Sequence, residues 1–357
     1  MKDIMRAAIA IIVVCIALFI VNDYLDKSSG KAGSDTVTIY NWGEYIDPDL
    51  IAQFEDETGY RVVYETFDSN EAMMTKIEQG GTSYDIAVPS EYAIEKMKEN
   101  NLLLPIDHSK IPNMKNVDPY FLDLSFDPKN QYSIPYFWGT VGIVFNPTLL
   151  DGQTFDSWDS LWDPTLKGKV LLVDSAREVI GMGLNSLNYS LNSTDEKELA
   201  QASAKLRKLT PNVKAIIGDE VTQLMVNEEA AVALTWSGQA ADMLWENEDL
   251  DYSVPEEGSN LWFDNMVIPK TAANIEGAHA FINFMLDAEV AAQNADYVGY
   301  SIPNAAAMEL MDEEVTSDER FYPTEETREH LEVYNNLGLE MLGKYNELFL
   351  KFKMGMH

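Results

Sequence analysis

Trp262 and Asp264 pair an aromatic ring with an acid at a spacing that suits an organic cation. The two residues stand two positions apart in the run LWFDNMVI. In an extended segment, side chains two apart point to the same face. The carboxylate would then neutralise an ammonium group, and the indole face would attract it by about 0.5–2 kcal/mol. The structural alternative is an acid that caps a helix or hinge, with Trp262 in the core.

Aromatic and polar residues also follow several predicted strands. They are NWGEY at 41–45, FDSN at 67–70 and PSEY at 89–92. Because ligands of open α/β sheets bind beyond the carboxyl ends of strands, we expect these segments to lie at one edge. None of them is a glycine-rich phosphate loop. Trp236 directly follows another apolar strand, AVALT, and is expected to face a cleft.

The elements that must position these residues alternate between short strands and amphipathic helices. The predicted strands are 37–40, 61–65, 85–88, 169–173, 212–217 and 230–235. The predicted helices are 48–57, 70–79, 91–99, 177–187, 195–209, 275–286, 288–296 and a tail from about 324 to 353. Repeated units of this kind predict a mostly parallel sheet with helices on both faces. Two strand-like segments, 142–146 and 263–268, are predicted to cross between two lobes.

Composition narrows the class of protein. The chain has 357 residues, 25 Lys and Arg, 59 Asp and Glu, and a net charge of −34. Its 46% apolar residues are typical of a globular chain, and its length predicts two domains. The acidity argues against nucleic acid as a partner, because phosphate binding needs clustered Lys and Arg. It favours cationic partners, although a solubilising surface explains the charge equally well.

The first 30 residues are typical of an export segment or membrane anchor followed by the start of a tether. Lys2 and Arg6 precede an apolar run from Ala7 to Val21. The single cysteine, Cys15, excludes an internal disulfide and a cysteine-based zinc site, and we expect no metal or cofactor. Val14 fits poorly before a lipidated cysteine, so an anchor is favoured over a lipid. The predicted location is the outer face of the cytoplasmic membrane.

Seven motifs in order resemble those of the spermidine/putrescine-binding proteins, the substrate-binding subunits of ABC importers. They are YNWGEYI at 40–46, FDSNEA at 67–72, YDIAVPSEY at 84–92, YSIPYFWG at 132–139, AREV at 176–179, WFDNMVI at 262–268 and GYSIPN at 299–304. Their spacing covers nearly all of residues 36–357. The resemblance implies a two-lobed α/β fold, like that of class II periplasmic binding proteins, in which two mostly doubly wound sheets close about a hinge.

The resemblance also implies the function. We expect a monomeric binding protein without catalytic activity, which captures polyamines outside the membrane and delivers them to an ABC permease. Lobe 1 is expected at 36–142 plus 266–300, and lobe 2 at 143–265 plus 301–357. The side chains that the resemblance implies as ligand contacts are Trp42, Tyr45, Ser90, Tyr92, Glu178, Trp236, Trp262, Asp264 and Tyr300. Further candidates are Glu44, Asp174, Ser175 and Tyr334.

Three positions depart from the family pattern. Family members often carry an acid at the position of Ser175, a hydroxyl residue at that of Gly43 and an amide at that of Tyr334. These changes leave open the preference among spermidine, putrescine and longer amines. Glu178, which the family uses for a terminal amine, has as its alternative role a salt bridge on a helix face.

Two other functions remain open from the residues alone. Trp and Tyr faces also stack on sugars, so a binding protein of the same fold for a sugar or another cation is possible in principle. Glu178 and Asp264 could form the carboxylate pair of a glycoside hydrolase, but no nucleophile–base motif, phosphate loop or metal cluster accompanies them. The remaining tryptophans are predicted to pack structurally: Trp138, Trp158, Trp162 and Trp245.

Overall fold

The computed structural model describes residues 35–218 and 220–355. The predicted anchor at 1–30 and Cys15 lie outside the described residues. Within those ranges, no helix has both the length and the apolar character that crossing a membrane requires.

Short parallel strands and helices alternate in the first part of the chain, as the periodicity predicts. The elements are β1 (Thr36–Trp42), α1 (Pro48–Thr58), β2 (Arg61–Phe67), α2 (Asn70–Gln79), β3 (Ile86–Ala87) and α3 (Glu91–Glu99). Ser69 begins α2 because its side chain accepts a hydrogen bond from the backbone of Ala72. Since β1 pairs in parallel with β2 and β3, the carboxyl ends of all three strands lie at one edge.

A connection of short 3₁₀ helices leads to the longest strand, β4 (Ser133–Phe145). Every one of its 13 residues is buried. The 3₁₀ helices before it are His108–Lys110, Pro112–Asn116, Pro119–Phe121 and Pro128–Asn130, and those after it are Pro147–Leu149, Trp158–Trp162 and Pro164–Leu166.

A second α/β arrangement follows β4. Its elements are β5 (Val170–Val173), α4 (Ala176–Asn185), α5 (Glu196–Leu209), β6 (Val213–Ile217), α6 (Glu220–Val226), β7 (Val232–Trp236) and α7 (Ser237–Glu246). β5 pairs in parallel with both β6 and β7. The chain then forms β8 (Asp251–Ser253) and β9 (Leu261–Val267).

The strand β4 joins the two arrangements. Its first part, Ser133–Thr140, pairs antiparallel with β9, and its last part, Val141–Phe145, pairs antiparallel with β7. β9 also pairs with β3, so the strands run in the order β2-β1-β3-β9-β4-β7-β5-β6, with β8 beside β4. The central strands are therefore antiparallel, whereas the outer strands on each side are parallel. The predicted crossings at 142–146 and 263–268 fall largely within β4 and β9.

Helices make up most of the regular structure after β9. They are α8 (Ile275–Met285), α9 (Ala288–Val298), α10 (Ala305–Met308), α11 (Glu313–Thr316), α12 (Glu325–Arg328) and α13 (Gly338–Met354). The prediction of a continuous helical tail from 324 to 353 was wrong, because residues 329–337 are not helical. The backbone of Glu332 pairs instead with the chain around the start of β9: its N–H donates to the carbonyl of Ser259, and its carbonyl accepts from the N–H of Leu261 (both 2.9 Å).

The predicted structural role of Trp245 was also wrong, since its side chain is 89% exposed. α7 buries Ala240 and Met243, and Trp245 lies two residues after Met243, on the opposite side of the helix. Trp138 and Trp158 are buried as predicted. The indole N–H of Trp162 donates to the carbonyl of Lys205 (3.0 Å), so this ring also packs structurally.

Candidate functional site

The carboxylate of Asp264 is the centre of a buried polar cluster. Asp264 lies in β9 and is 7% exposed. One oxygen accepts a hydrogen bond from the hydroxyl of Tyr45, and the other accepts one from the hydroxyl of Ser90 (both 2.7 Å). Burial raises the pKa of Asp264 to about 6, while these two hydrogen bonds act in the opposite direction. Asp264 thus remains mainly ionised at neutral pH and retains lone pairs for a further donor.

Aromatic rings form a continuous wall beside this carboxylate. The ring centroids of Tyr45 and Tyr300 are 5.3 Å apart, and those of Trp262 and Tyr300 are 5.7 Å apart. The indole N–H of Trp262 donates to the carbonyl of Thr140 (3.2 Å), which holds the ring against β4. Trp262 and Asp264, predicted from their spacing to share a face of an extended segment, are thus linked through Tyr300 and Tyr45.

Two glycines make room for these rings. A Cβ at Gly238 would lie 1.8 Å from a ring carbon of Tyr300, and a Cβ at Gly139 would lie 2.5 Å from a ring carbon of Trp262. Neither distance is possible for a real side chain, so only glycine allows both rings their positions. Trp236 ends β7 two residues before Gly238 and is half-buried. Trp236 is thus two residues from the glycine that lies against the Tyr300 ring.

Asn70 also belongs to this cluster, although the sequence analysis did not name it as a ligand contact. Its side-chain amide nitrogen lies 3.0 Å from both the Ser90 and the Tyr92 hydroxyl oxygens, and its carbonyl oxygen accepts from the backbone N–H of Ser90 (3.0 Å). The signal that could have found it was its position in FDSN, after the strand that became β2. The structure therefore groups Tyr45, Ser90 and Asp264 directly, and Tyr92 through Asn70.

A second acid, Glu178, lies in the first turn of α4. It is buried, and burial raises its pKa; the hydroxyl of Ser175 donates a hydrogen bond to its carboxylate and lowers that pKa in part. Burial, and then the charge of Glu178, raise the pKa of Tyr334. The pKa of Tyr92 is also raised by burial, and the charge of Glu178 contributes. The charge of Glu178 thus acts on Tyr92 in the first part of the chain and on Tyr334 in the C-terminal part.

Tyr334 is buried, and one face of its ring is covered. The guanidinium carbon of Arg177 lies 4.0 Å from the ring centroid, a cation–π contact. Arg177 also donates to the side-chain oxygen of Asn192 (2.9 Å) and to the backbone carbonyl of Asn335 (3.2 Å). A ligand could therefore meet Tyr334 only at its other face or at its hydroxyl.

Two further candidates lie apart from these groups. Asp174 is exposed and forms a salt bridge with Lys353 (2.7 Å), so its charge is already compensated by a cation. Glu44 is exposed in the left-handed region at φ 51°. Partial burial, followed by the charges of Glu246 and Glu44, raises the pKa of Asp242 to about 6, so Glu44 lies near α7.

Trp42 is half-buried and packs against Phe67, with ring centroids 4.5 Å apart. The backbone carbonyl of Trp42 accepts a weak hydrogen bond from the hydroxyl of Tyr64 (3.4 Å). Its indole N–H is buried and has no hydrogen-bond partner within the described part of the chain. Trp42 thus ends β1 at the edge where the ligand site was predicted, with one polar group unsatisfied.

Other features of the surface do not converge on this cluster. A separate open groove of about 710 Å³ is lined in part by Trp162, Asp159 and Lys205. Lys205 forms an ion pair with Asp159 and lies over the Trp162 ring, so this cation already has its partners. Among residues 35–218 and 220–355, no group of three or more His, Cys, Asp or Glu side chains could hold a metal ion.

Comparison with known proteins identifies the family. A family model described as bacterial extracellular solute-binding protein matches residues 49–323. A spermidine/putrescine-binding periplasmic protein of Escherichia coli (strain K12) is 41% identical over 323 residues, which are 90% of this chain and 92% of the relative. A putrescine-binding periplasmic protein of Pseudomonas aeruginosa is 34% identical over 343 residues, 91% of this chain and 93% of the relative.

Solved structures agree in fold. A putative spermidine/putrescine ABC transporter protein of Listeria monocytogenes superimposes with a TM-score of 0.84 at 64% identity and covers 90% of this chain and 99% of its own. The spermidine/putrescine ABC transporter substrate-binding protein PotD of Streptococcus pneumoniae gives a TM-score of 0.85 at 57% identity, with 90% and 100% covered. These likenesses confirm the two-lobed binding-protein fold, and the relatives are named as binding proteins rather than enzymes. The chain belongs to the bacterial extracellular solute-binding protein family.

Proposed function

We propose that this protein captures a polyamine, spermidine or putrescine, on the outer side of the cytoplasmic membrane and delivers it to the permease of an ABC importer. The observation that carries the proposal is the Asp264 carboxylate, buried and oriented by two hydroxyls beside a wall of aromatic rings. The names of the E. coli, Listeria and Streptococcus relatives support the same ligand class.

The charges of the site favour a cation. Within the described part of the chain, neither Asp264 nor Glu178 forms an ion pair with Lys or Arg. A buried carboxylate without a cation is costly, and a bound ammonium group would offset that cost. An anion would meet two acids here, and a neutral sugar would leave both of them uncompensated.

Each group has a role in this proposal. Asp264 binds one ammonium group, while Tyr45, Trp262 and Tyr300 cover the methylene spacers and add cation–π attraction. Glu178, with Ser175 donating to it, binds a second ammonium group. The remaining predicted contacts, which complete the enclosure of the ligand, are Trp42, Ser90, Tyr92, Trp236 and Tyr334.

Ligand binding in this proposal brings the two lobes together. With lobe 1 at 36–142 plus 266–300 and lobe 2 at 143–265 plus 301–357, Tyr45 and Tyr300 belong to lobe 1 and Glu178 belongs to lobe 2. Asp264 falls at the end of the lobe 2 range, but its side chain already contacts Tyr45 and Ser90 of lobe 1. A ligand that contacts both lobes stabilises the closed form over the open one, through a hinge motion. The closed monomer then docks on the permease, while the segment 1–30 keeps it at the membrane.

Calorimetric titration of the purified protein tests this function. We expect saturable binding of spermidine or putrescine and no binding heat with maltose. Asp264→Asn should weaken amine binding by about 100-fold, because it removes the charge partner of an ammonium in a buried site. Asp174→Asn, which removes an acid already paired with Lys353, is the matched control and should retain the affinity. Binding of maltose but not of either amine would refute the proposal.

A further inference from the structure

We propose that Asn70 is a positioning residue that sets the direction of the hydrogen bonds around Asp264 and so keeps this carboxylate ready to accept an ammonium group. The role in ammonium binding rests on the proposed function. The hydrogen-bond arrangement itself does not, because it is present in the protein without a ligand.

The environment of Asn70 is unusual for the first residue of a helix. The helix cap is supplied by Ser69, whose side chain accepts from Ala72, so the amide of Asn70 is not needed for capping. The side chain of Asn70 is nevertheless only 4% exposed. All three of its hydrogen bonds go to Ser90 and Tyr92 at the start of α3.

The backbone fixes the orientation of the amide. The N–H of Ser90 can only donate, so the atom that it meets 3.0 Å away must be the carbonyl oxygen of Asn70. The amide nitrogen must then face the hydroxyl oxygens of Ser90 and Tyr92, 3.0 Å from each. Because an amide nitrogen donates and does not accept, each hydroxyl has to give its own hydrogen to a different acceptor.

For Ser90 that acceptor is Asp264, at 2.7 Å. Tyr45 donates to the other oxygen of the same carboxylate. A protonated Asp264 would turn one of these oxygens from an acceptor into a donor and lose a hydrogen bond. The amide of Asn70 therefore favours the ionised form of Asp264, acting through the hydroxyl of Ser90.

The same amide also donates to the hydroxyl oxygen of Tyr92. The hydroxyl oxygen of Tyr92 accepts from Asn70, so its hydrogen is available for an acceptor other than Asn70. The charges that act on Tyr92 are those of Glu71, Glu178 and Glu91. One buried amide thus orients the hydroxyls of both Ser90 and Tyr92.

The test measures the pKa of the Asp264 carboxyl in the ligand-free protein, from the pH dependence of its carbon-13 resonance, identified by its loss in Asp264→Asn. The titratable groups that face this carboxyl are Tyr45, Glu91 of α3 and Tyr136 of β4, and the variants leave all three in place. We expect Asn70→Ala to raise this pKa. Ser90→Ala should do the same and is the second variant should Asn70→Ala fold poorly.

Two controls separate positioning from packing. Asn212 is also 4% exposed and donates two hydrogen bonds through its amide nitrogen, but to the backbone of residues 161 and 163. Asn212→Ala should lower stability and leave the Asp264 pKa unchanged. Tyr92→Phe should also leave it unchanged, since the Ser90 N–H still fixes the Asn70 amide and the Ser90 hydroxyl still donates to Asp264.

Amine affinity provides the functional measurement. Asn70→Ala should weaken binding roughly tenfold. Because Asn70 acts on Asp264 through Ser90, Asn70→Ala combined with Ser90→Ala should bind no more than about threefold more weakly than the worse single variant. An unchanged Asp264 pKa in Asn70→Ala or Ser90→Ala, or affinity losses that simply multiply, would overturn the positioning role. Absence of amine binding by the parent protein would refute only the proposed function, because the ligand-free pKa still tests Asn70.

Discussion

Glu91 is a buried acid whose negative charge destabilises the folded protein. It is 1% exposed at the start of α3, and its carboxyl oxygen accepts a hydrogen bond from the backbone N–H of Phe263 (3.0 Å). Burial raises its pKa from 4.5 to about 8; the charge of Asp264 adds to this, whereas the Phe263 hydrogen bond and the charge of Arg177 oppose it. Glu91→Gln keeps the acceptor for Phe263 and removes the ionisation.

The size of the effect follows from proton linkage. Between pH 4.5 and 8 the folded state holds a proton on Glu91 that the unfolded state has released, so the free energy of unfolding falls as the pH rises. Each pH unit in this window costs about 1.4 kcal/mol, which gives about 4 kcal/mol at pH 7.4. Above pH 8 Glu91 lowers the free energy of unfolding no further, because its carboxyl is then ionised in both the folded and the unfolded state. Glu91→Gln should therefore match the parent near pH 4 and exceed it by about 4 kcal/mol at pH 7.4.

Urea unfolding at a series of pH values between 4 and 9, without ligand, measures this difference. Comparing variant with parent at each pH cancels the contributions of the buried acids that do not interact with Glu91, which excludes Asp264. Glu78→Gln, at an exposed position of α2, controls for the removal of one negative charge from an acidic protein. A stability difference between Glu91→Gln and the parent that stays flat from pH 4.5 to 8 would contradict the reasoning, and so would a difference that shrinks as the pH rises.

Three further outcomes are expected. Amine affinity of the parent should be constant above the Asp264 pKa of about 6 and fall as the pH drops below it, because a bound ammonium favours the ionised carboxylate; affinity that rises toward pH 5 in calorimetry would contradict this. Trp236→Ala should remove much of the ligand-induced change in tryptophan fluorescence, whereas an unchanged signal would exclude Trp236 from the cleft. Gly238→Ala should displace the Tyr300 ring and weaken amine binding at least tenfold, whereas Gly343→Ala, where a Cβ meets nothing within 4 Å, should bind like the parent; equal affinities would show that the ring adapts.

Local sequence signals were sufficient for much of the fold. The bounds predicted for α2 and α3 agree with the structure at both ends, because the capping and breaking residues lie within a few positions of those ends. Trp262 and Asp264 were expected to share a face if their segment is extended, and β9 contains both residues. Parallel pairing of β1 with β2 and β3 also explains why the residues after these strands approach one another.

Contacts between distant parts of the chain account for what the sequence did not predict. The predicted helical tail is interrupted at 329–337, because the backbone of Glu332 pairs with residues more than 70 positions earlier in the chain. The sequence made Asp174 a candidate ligand contact beside Glu178. In the structure Asp174 forms a salt bridge with Lys353, which lies 179 positions away. Asparagine is common at helix starts, so its residue type alone did not single out Asn70. Its role follows from its hydrogen bonds to residues 20 and 22 positions later in the chain.

The exposed indole of Trp245 affects measurements of tryptophan fluorescence on this protein. A solvated tryptophan emits at longer wavelength and is reached by collisional quenchers, whereas Trp138 and Trp158 are shielded from both effects. A protein with a net charge of −34 repels iodide, so a neutral quencher such as acrylamide is the better probe. Trp245→Phe would remove the red-shifted background without disturbing the core, and the remaining spectrum would report mainly the enclosed indoles.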